Sequence, residues 1–339
     1  MKLMFPDNTI NKILVFRALQ LGDLLCTVPA LRALRLAYPN AEITLLSLPW
    51  AESFVARFNR YLDRFIHFIG FPGLPEQPFD ATGFPEFLHK IQDERFDLIL
   101  QMQGNGSIVN PMIALLNGRH SAGFRLANDY APDEQSFLQY PTGIHEIERH
   151  LALMQHIGAD HSDTDLEFPL TEKDFSDLAN ADITVTNKRY ACVHPGSRGA
   201  WRQWPTAHFA MIGDYFAGHG FEIVLTGTKD EMNIIEDVRR QMKHPSIIAA
   251  GRTSLGAIAA LISNAFLLVS NCTGVSHIAA ATKTKSIVIS MDGEPERWAP
   301  MNTNLHFTID WLRDPDIDKV MEQARNLANG ASATYSPHQ

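Results

Sequence analysis

The stretch Ile13-Leu14-Val15-Phe16-Arg17-Ala18-Leu19-Gln20-Leu21-Gly22-Asp23 decides the fold. Four consecutive apolar residues, Ile13 to Phe16, predict a buried strand. Pro29, opening an Ala/Leu/Arg-rich run, predicts the first turn of a helix ending near Tyr38-Pro39. The segment between them carries one carboxylate, Asp23. In an open α/β sheet, ligands collect outside the carboxyl ends of the strands, so a carboxylate after the first strand is a candidate for chemistry. An acidic residue there also caps a helix and complements its dipole. These residues by themselves leave both readings open.

Outward from this unit the alternation repeats. Glu42–Ser47 predicts a strand, about Trp50 to Asn59 a helix, and Arg64–Phe68 a short strand. Residues 70–85 hold four prolines and three glycines and predict a long irregular loop. A helix over Phe87–Glu94 and a strand over Asp97–Gln101 follow. That strand runs into the turn Gln103-Gly104-Asn105-Gly106-Ser107, and the next helix stops at Asn117-Gly118. Residues 125–143 read as irregular and His145–Ile157 as a helix. His145-Glu146 and His150 invite a metal reading that fails on spacing. A zinc helix needs two histidines one turn apart, and these are five residues apart.

Residues 159–188 are polar and acidic, and the domain boundary is placed within them. A second alternation then starts at Arg189–Val193. It runs into His194-Pro195-Gly196-Ser197-Arg198-Gly199, and Trp204-Pro205-Thr206 opens a helix. A glycine-rich turn between strand and helix brings backbone N–H groups close to a ligand, and Arg198 and Arg202 add permanent charge, which is the chemistry of a phosphate cradle. A surface loop with two solvated arginines is the plainer alternative. Strands follow at Phe221–Leu225, Ser246–Ala250, Phe266–Ser270 and Lys285–Ser290. The turn Asn271-Cys272-Thr273-Gly274 leads into a helix over Val275–Thr282, a second anion site on the same sheet edge. The last expected element is a helix from about Pro315 to Ala328.

Composition narrows the classes. At 339 residues, two domains are the default. With 45% hydrophobic and 20% charged residues the chain is of ordinary globular type. A net charge of -9 argues against a general nucleic-acid binder, which needs a cationic surface. Three widely spaced cysteines give neither a disulfide framework nor a zinc spacing. No signal-peptide pattern and no membrane-spanning run are read, so a cytoplasmic location is expected.

Four motifs in order carry a family resemblance: Gly22-Asp23 with Pro29-Ala30-Leu31, Pro195-Gly196-Ser197 with Arg202-Gln203-Trp204-Pro205, Thr273-Gly274-Val275-Ser276-His277, and Pro295-Glu296-Arg297-Trp298. Over about residues 12–328 the chain resembles glycosyltransferase family nine, the ADP-heptose lipopolysaccharide heptosyltransferases and their relatives. The resemblance implies a GT-B fold: α/β, with two Rossmann-like parallel-sheet domains facing each other across a cleft. The expected limits are 1–170 for the acceptor-side domain and 171–312 for the nucleotide-sugar domain. A helix over 313–330 is expected to pack back toward the first domain, with a frayed tail over 331–339.

The implied reaction is an inverting, metal-independent transfer of a heptose-like sugar. It passes from a nucleotide diphosphate donor, expected to be ADP-linked, to a hydroxyl of a lipopolysaccharide core or other cell-surface glycan. Asp23 falls on the family's general base. Ser197, Arg202, Thr273, Gly274 and His277 fall on the donor diphosphate, and Gly196 and Glu231 on the nucleotide and ribose. Gly22, Gln103, Arg57 and Arg60 are the acceptor-side candidates; the two arginines recur with Arg64 at helical spacing, a stripe that either meets an anionic, lipid-linked acceptor or is a solvated face. No metal and no cofactor is expected, the nucleotide sugar being a substrate. The expected partners are that donor and a glycan or glycolipid at the inner membrane surface, and no nucleic acid. An epimerase or hydrolase of GT-B-like fold and an inactive nucleotide-sugar-binding module are the alternatives. The chain departs from the family at Cys272, where an Asp is common, at Ser107, where a basic residue often follows Gln-Gly, and at Met291-Asp292-Gly293, where Gly-Pro-Thr is common. These departures fall on donor-sugar and acceptor contacts.

Overall fold

A computed structural model describes residues 2–186 and 189–334 of the 339. The chain divides into two compact units, Met1–Asp165 and Leu166–Gln339, where the sequence reading put the division at 170/171.

In the first unit the order is β1 (Lys12–Phe16), α1 (Leu21–Leu25), α2 (Val28–Ala37), β2 (Glu42–Ser47), α3 (Glu52–Arg57), β3 (Arg64–His67), α4 (Phe84–Asp93), β4 (Leu98–Gln101), α5 (Val109–Leu115), β5 (His120–Arg125), β6 (Phe137–Gln139) and α6 (Glu146–His156). The six parallel strands lie in the order β3-β2-β1-β4-β5-β6. β1 is central because Ile13–Phe16 are buried on both faces, as a continuous apolar run in a parallel sheet requires. Ile13 pairs with Ile43 on one side and Leu98 on the other.

The loop before α4 is irregular, as its prolines predict, but it carries its own aromatic packing. Phe84 lies 5.8 Å from Phe71, 5.3 Å from Phe79 and 6.0 Å from Phe87 between ring centroids. Gly70 opens the loop at φ +90, where a Cβ would sit 2.5 Å from the Pro78 carbonyl oxygen.

The second unit runs α7 (Glu172–Asn180), β7 (Tyr190–His194), α8 (Thr206–Gly218), β8 (Glu222–Leu225), α9 (Met232–Gln241), β9 (Ile247–Ile248), α10 (Leu255–Ser263), β10 (Leu267–Asn271), α11 (Gly274–Ala281), β11 (Ser286–Ser290), α12 (Pro295–Trp298), β12 (His306–Asp310) and α13 (Ile317–Thr334). Its sheet order, β12-β11-β10-β7-β8-β9, repeats the pattern of the first unit strand for strand. Both are the doubly wound order in which the chain reverses direction beside the first strand, here between β1 and β4 and between β7 and β10.

Several elements differ from the sequence reading. The polar stretch 159–188 contains α7, started by a Thr171–Asp174 capping box and packed on α10. β5, β12 and the short β6 were not expected, none of them carrying a long apolar run. α13, expected to pack toward the first domain, inserts Val320, Met321, Ala324 and Ala328 into the core of the second unit, beside α8 and β11. Its apolar residues recur at helical spacing, so one face must be buried on the sheet it follows. α13 continues through Thr334, and 335–339 lie outside the described residues. Among the described residues no helix is long and apolar enough to cross a membrane.

Candidate active site

Each unit presents a set of polar groups at the carboxyl edge of its sheet, beside the reversal point. In the first unit Asp23 lies in the first turn of α1 and not at its N-cap, which is Gln20. Its side chain is 24% exposed, and its carbonyl oxygen accepts from Thr27 Oγ1 at 2.8 Å. Gly22 precedes it in the same turn.

Directly beneath is Arg17, the residue after β1, with a side chain only 1% exposed. Its Nε donates to the Asp23 carbonyl oxygen at 3.1 Å, its Nη1 to the Met102 carbonyl oxygen, and its Nη2 to Glu146 Oε1 at 3.1 Å. Asp23 Oδ1 is 3.9 Å from the same Nη2. The other Glu146 oxygen accepts from Arg149 Nη1. His150 Nε2 stands 3.3 Å from Glu146 Oε1 but off the hydrogen-bonding direction. Burial, with the charge of Arg17 adding, pushes the His150 ring down to about 4, so it is neutral.

This buried group of Arg17, Glu146, Arg149 and His150 was not anticipated as part of the site. The signal was an arginine directly after a fully apolar strand, a charge the fold must bury and pair.

The acceptor-side candidates separate. Gln103 is at the correct edge but is buried, and its Oε1 accepts from the Ala18 N–H at 2.9 Å. It fastens the loop after β1 to the loop after β4. Ser107 is exposed in the latter loop and bonds Asp129. Arg57 ends α3, and Arg60 lies in the connection entering β3, so the chain is there returning to the amino edge of the sheet. Arg64 is a strand residue at that edge, tied to Glu94 at 2.8 Å and Glu42 at 2.9 Å. The expected helical stripe of arginines is therefore not formed. α3 is too short to carry it, and its members lead away from Asp23.

In the second unit Asn271, the last residue of β10, organises the site. Its Nδ2 donates to the carbonyl oxygens of Pro195 at 2.8 Å and Gly196 at 3.2 Å, and its Oδ1 accepts from the Trp204 N–H at 2.9 Å. Both ends of the loop after β7 are thus staked to the neighbouring strand. Inside the loop, Gln203 Nε2 donates to the Ser197 carbonyl oxygen at 3.0 Å, and Ser197 is buried. Arg198 is exposed, whereas the half-buried Arg202 pairs through Nη2 with Asp292 Oδ2. Asp292 also accepts from Ser290 Oγ at 2.8 Å.

Thr273 is the N-cap of α11 in a capping box with Ser276. The Thr273 N–H, expected to face a phosphate, donates to Ser276 Oγ at 3.3 Å, and the Ser276 N–H donates to the Thr273 carbonyl oxygen at 2.9 Å, which leaves the first-turn N–H groups of Gly274 and Val275 without an intrahelical acceptor. His277 is buried one turn into α11. The Cys272 thiol donates toward the Trp298 carbonyl oxygen at 3.7 Å, and burial pushes it up to about 12, so it is a packed thiol and not a nucleophile. Glu231 does meet Gly196: a Cβ at position 196 would lie 2.2 Å from Glu231 Oε1. Its other oxygen accepts from the Thr228 N–H at 2.7 Å. Among the described residues no group of three or more His, Cys, Asp or Glu is placed to hold a metal ion.

The profile of glycosyltransferase family 9 (heptosyltransferase) matches residues 85–324. The chain belongs to glycosyltransferase family 9. Lipopolysaccharide heptosyltransferase 3 of Escherichia coli is 23% identical over 304 residues, 84% of each protein. Among solved structures, a family 9 glycosyltransferase from Veillonella parvula superposes with a TM-score of 0.76 at 18% identity, covering 94% of this chain and 98% of its own. An E. coli heptosyltransferase, WaaC with ADP, superposes at 0.69 and 17% identity, covering 93% and 99%. The fold of this family 9 chain is GT-B, and the chain is a glycosyltransferase. Asp23 precedes the matched region, so its role rests on its own geometry and on the Gly22-Asp23 motif.

Proposed function

We propose that this family 9 glycosyltransferase moves a heptose-like sugar from an ADP-linked donor to a hydroxyl of a lipopolysaccharide core or related cell-surface glycan, with inversion and without a metal. The observation that carries the donor half is the loop after β7, staked by Asn271 and carrying Arg202, with α11 beginning three residues after Asn271 on the same sheet edge. A guanidinium and a helix N-terminus together supply the positive potential that a departing nucleoside diphosphate needs. Ser197 and His277 belong to the same edge. Glu231, whose Oε1 lies against Gly196, takes the nucleotide's ribose in this reading. ADP as the nucleotide draws support from the relative solved with ADP.

In the first unit Asp23 acts as the general base. It takes the proton of the acceptor hydroxyl as that oxygen attacks the anomeric carbon, while the bond from that carbon to the diphosphate oxygen breaks on the opposite face. Attack opposite the leaving group inverts the centre. The acceptor reaches the protein at the inner face of the cytoplasmic membrane as a peripheral encounter.

Thermal unfolding against ADP, UDP, GDP and CMP tests the donor half. A ligand at ~100 times its dissociation constant stabilises by about 2.7 kcal/mol. A shift with ADP alone is expected. A larger shift with another nucleotide would discard the ADP-linked donor, and unaltered turnover in excess chelator is the expected result for the metal.

A further inference from the structure

The charges around Asp23 do not cancel without it. Arg17 and Arg149 are two permanent cations, Glu146 is one anion between them, and the neutral His150 adds nothing. All four side chains are nearly without solvent exposure. The remaining donors of Arg149 go to carbonyl oxygens, Pro141 at 3.0 Å and Ile144 at 3.4 Å, and its guanidinium lies over the Tyr140 ring at 4.5 Å. Met102, the residue after β4, gives its carbonyl oxygen to Arg17. A buried group with one uncompensated charge is costly, and the carboxylate nearest to Arg17 outside the group is Asp23, at 3.9 Å.

We propose that Arg17, Glu146 and Arg149 form a buried charge-setting group of net charge plus one that the ionised Asp23 carboxylate completes, with Glu146 as the positioning residue that keeps the group from reaching plus two. The functional meaning rests on the reading of Asp23 as the base. With too much positive charge Asp23 would stay ionised but bind a proton weakly, and with too little it would hold its proton. The net single charge holds it between those limits.

The test follows the Asp23 carboxyl directly, by carbon-13 NMR titration of the full chain labelled at aspartate Cγ. The Asp23 resonance is the one lost in Asp23→Asn. Glu146→Gln removes the anion, and the Asp23 titration midpoint is expected to fall by about 1 pH unit. Arg149→Gln removes a cation, and the midpoint is expected to rise by about as much. The double variant E146Q/R149Q removes one charge of each sign and should return the midpoint to that of the parent chain.

Loosened packing alone would move both single variants in one direction and would not be restored in the double. That pattern, or no movement in any variant, overturns the proposal. Should one single variant fail to fold, the other, read against the double, decides by the same sign. Full transfer activity in Asp23→Asn would remove the base reading and leave the charge coupling intact. An inactive Asp23→Asn with an unmoved midpoint in the charge variants would remove the coupling alone.

Discussion

Arg202 is bonded to Asp292, 90 residues further along the chain, so the guanidinium proposed to bind a diphosphate already holds a carboxylate. Asp292 stands in the Met291-Asp292-Gly293 segment, one of the three places where the chain departs from its family's common pattern. A departing diphosphate must share or displace that carboxylate. Asp292→Asn is therefore expected to tighten ADP binding by about 3- to 10-fold, the value of a partly exposed pair at roughly 1 kcal/mol. Isothermal titration would show it. Weaker binding in the variant would mean that Asp292 aims Arg202 and does not compete with the ligand.

Asp23→Asn is nearly isosteric and leaves the second unit untouched. Transfer is expected to fall by ~10²–10⁴-fold, the usual contribution of a general base. The melting shift with ADP should stay as in the parent chain. Loss of the nucleotide shift together with turnover would place Asp23 in donor binding.

His150 gives stability a pH dependence with a definite sign. Its folded value, about 4, lies below the ordinary histidine value near 6.5, so between these the unfolded chain takes up a proton that the folded chain refuses. The stability is complete above about pH 6.5 and is lost as pH falls toward 4, by about 3 kcal/mol in all. His306, also pushed down to about 4 by burial, acts in the same direction in the second unit. The urea midpoint of His150→Gln should drop less than that of the parent between about pH 7.5 and about pH 4.5. Equal drops would place the acid sensitivity elsewhere.

Asn271→Ala removes three hydrogen bonds and leaves the Trp204 N–H without its acceptor. A buried donor so abandoned costs about 1–3 kcal/mol. The variant should melt lower and bind ADP more weakly, because the loop carrying Ser197 and Arg202 loses both stakes. If only the melting temperature changed, the loop would be holding its shape without Asn271.

Much of this was legible in the sequence because parallel strands are continuous apolar runs and their loops carry the polar exceptions. Ile13–Phe16 and Phe266–Ser270 could hardly be anything but buried strands, and Asp23, Arg202 and Thr273 follow such runs. What escaped depends on partners far away in the chain. The role of Asn271 is set by its hydrogen bonds to Pro195 and Trp204, and nothing local marks it. Gln103 looked like an acceptor contact because only the fold reveals that its carbonyl is spent on Ala18. Arg57, Arg60 and Arg64 looked like a helical stripe because their spacing ignores the end of α3 at Arg57.

The pairing of Arg17 with Glu146 also has a consequence for biosynthesis. The two residues are 129 positions apart, and at ~5–20 residues per second the ribosome needs on the order of ten seconds to supply the second after the first. Until then Arg17 has only the partly exposed Asp23 near it and lacks its buried partner, so closure of the first sheet over its opening strand is expected to wait for α6. Nascent chains arrested before α6 should accordingly be cut by protease near Arg17, and those arrested well after it should be protected. The second unit waits in the same way for Val320 to Ala328, whose side chains complete its core, so the unit that carries Asp23 is finished while the unit that carries Arg202 is still being made.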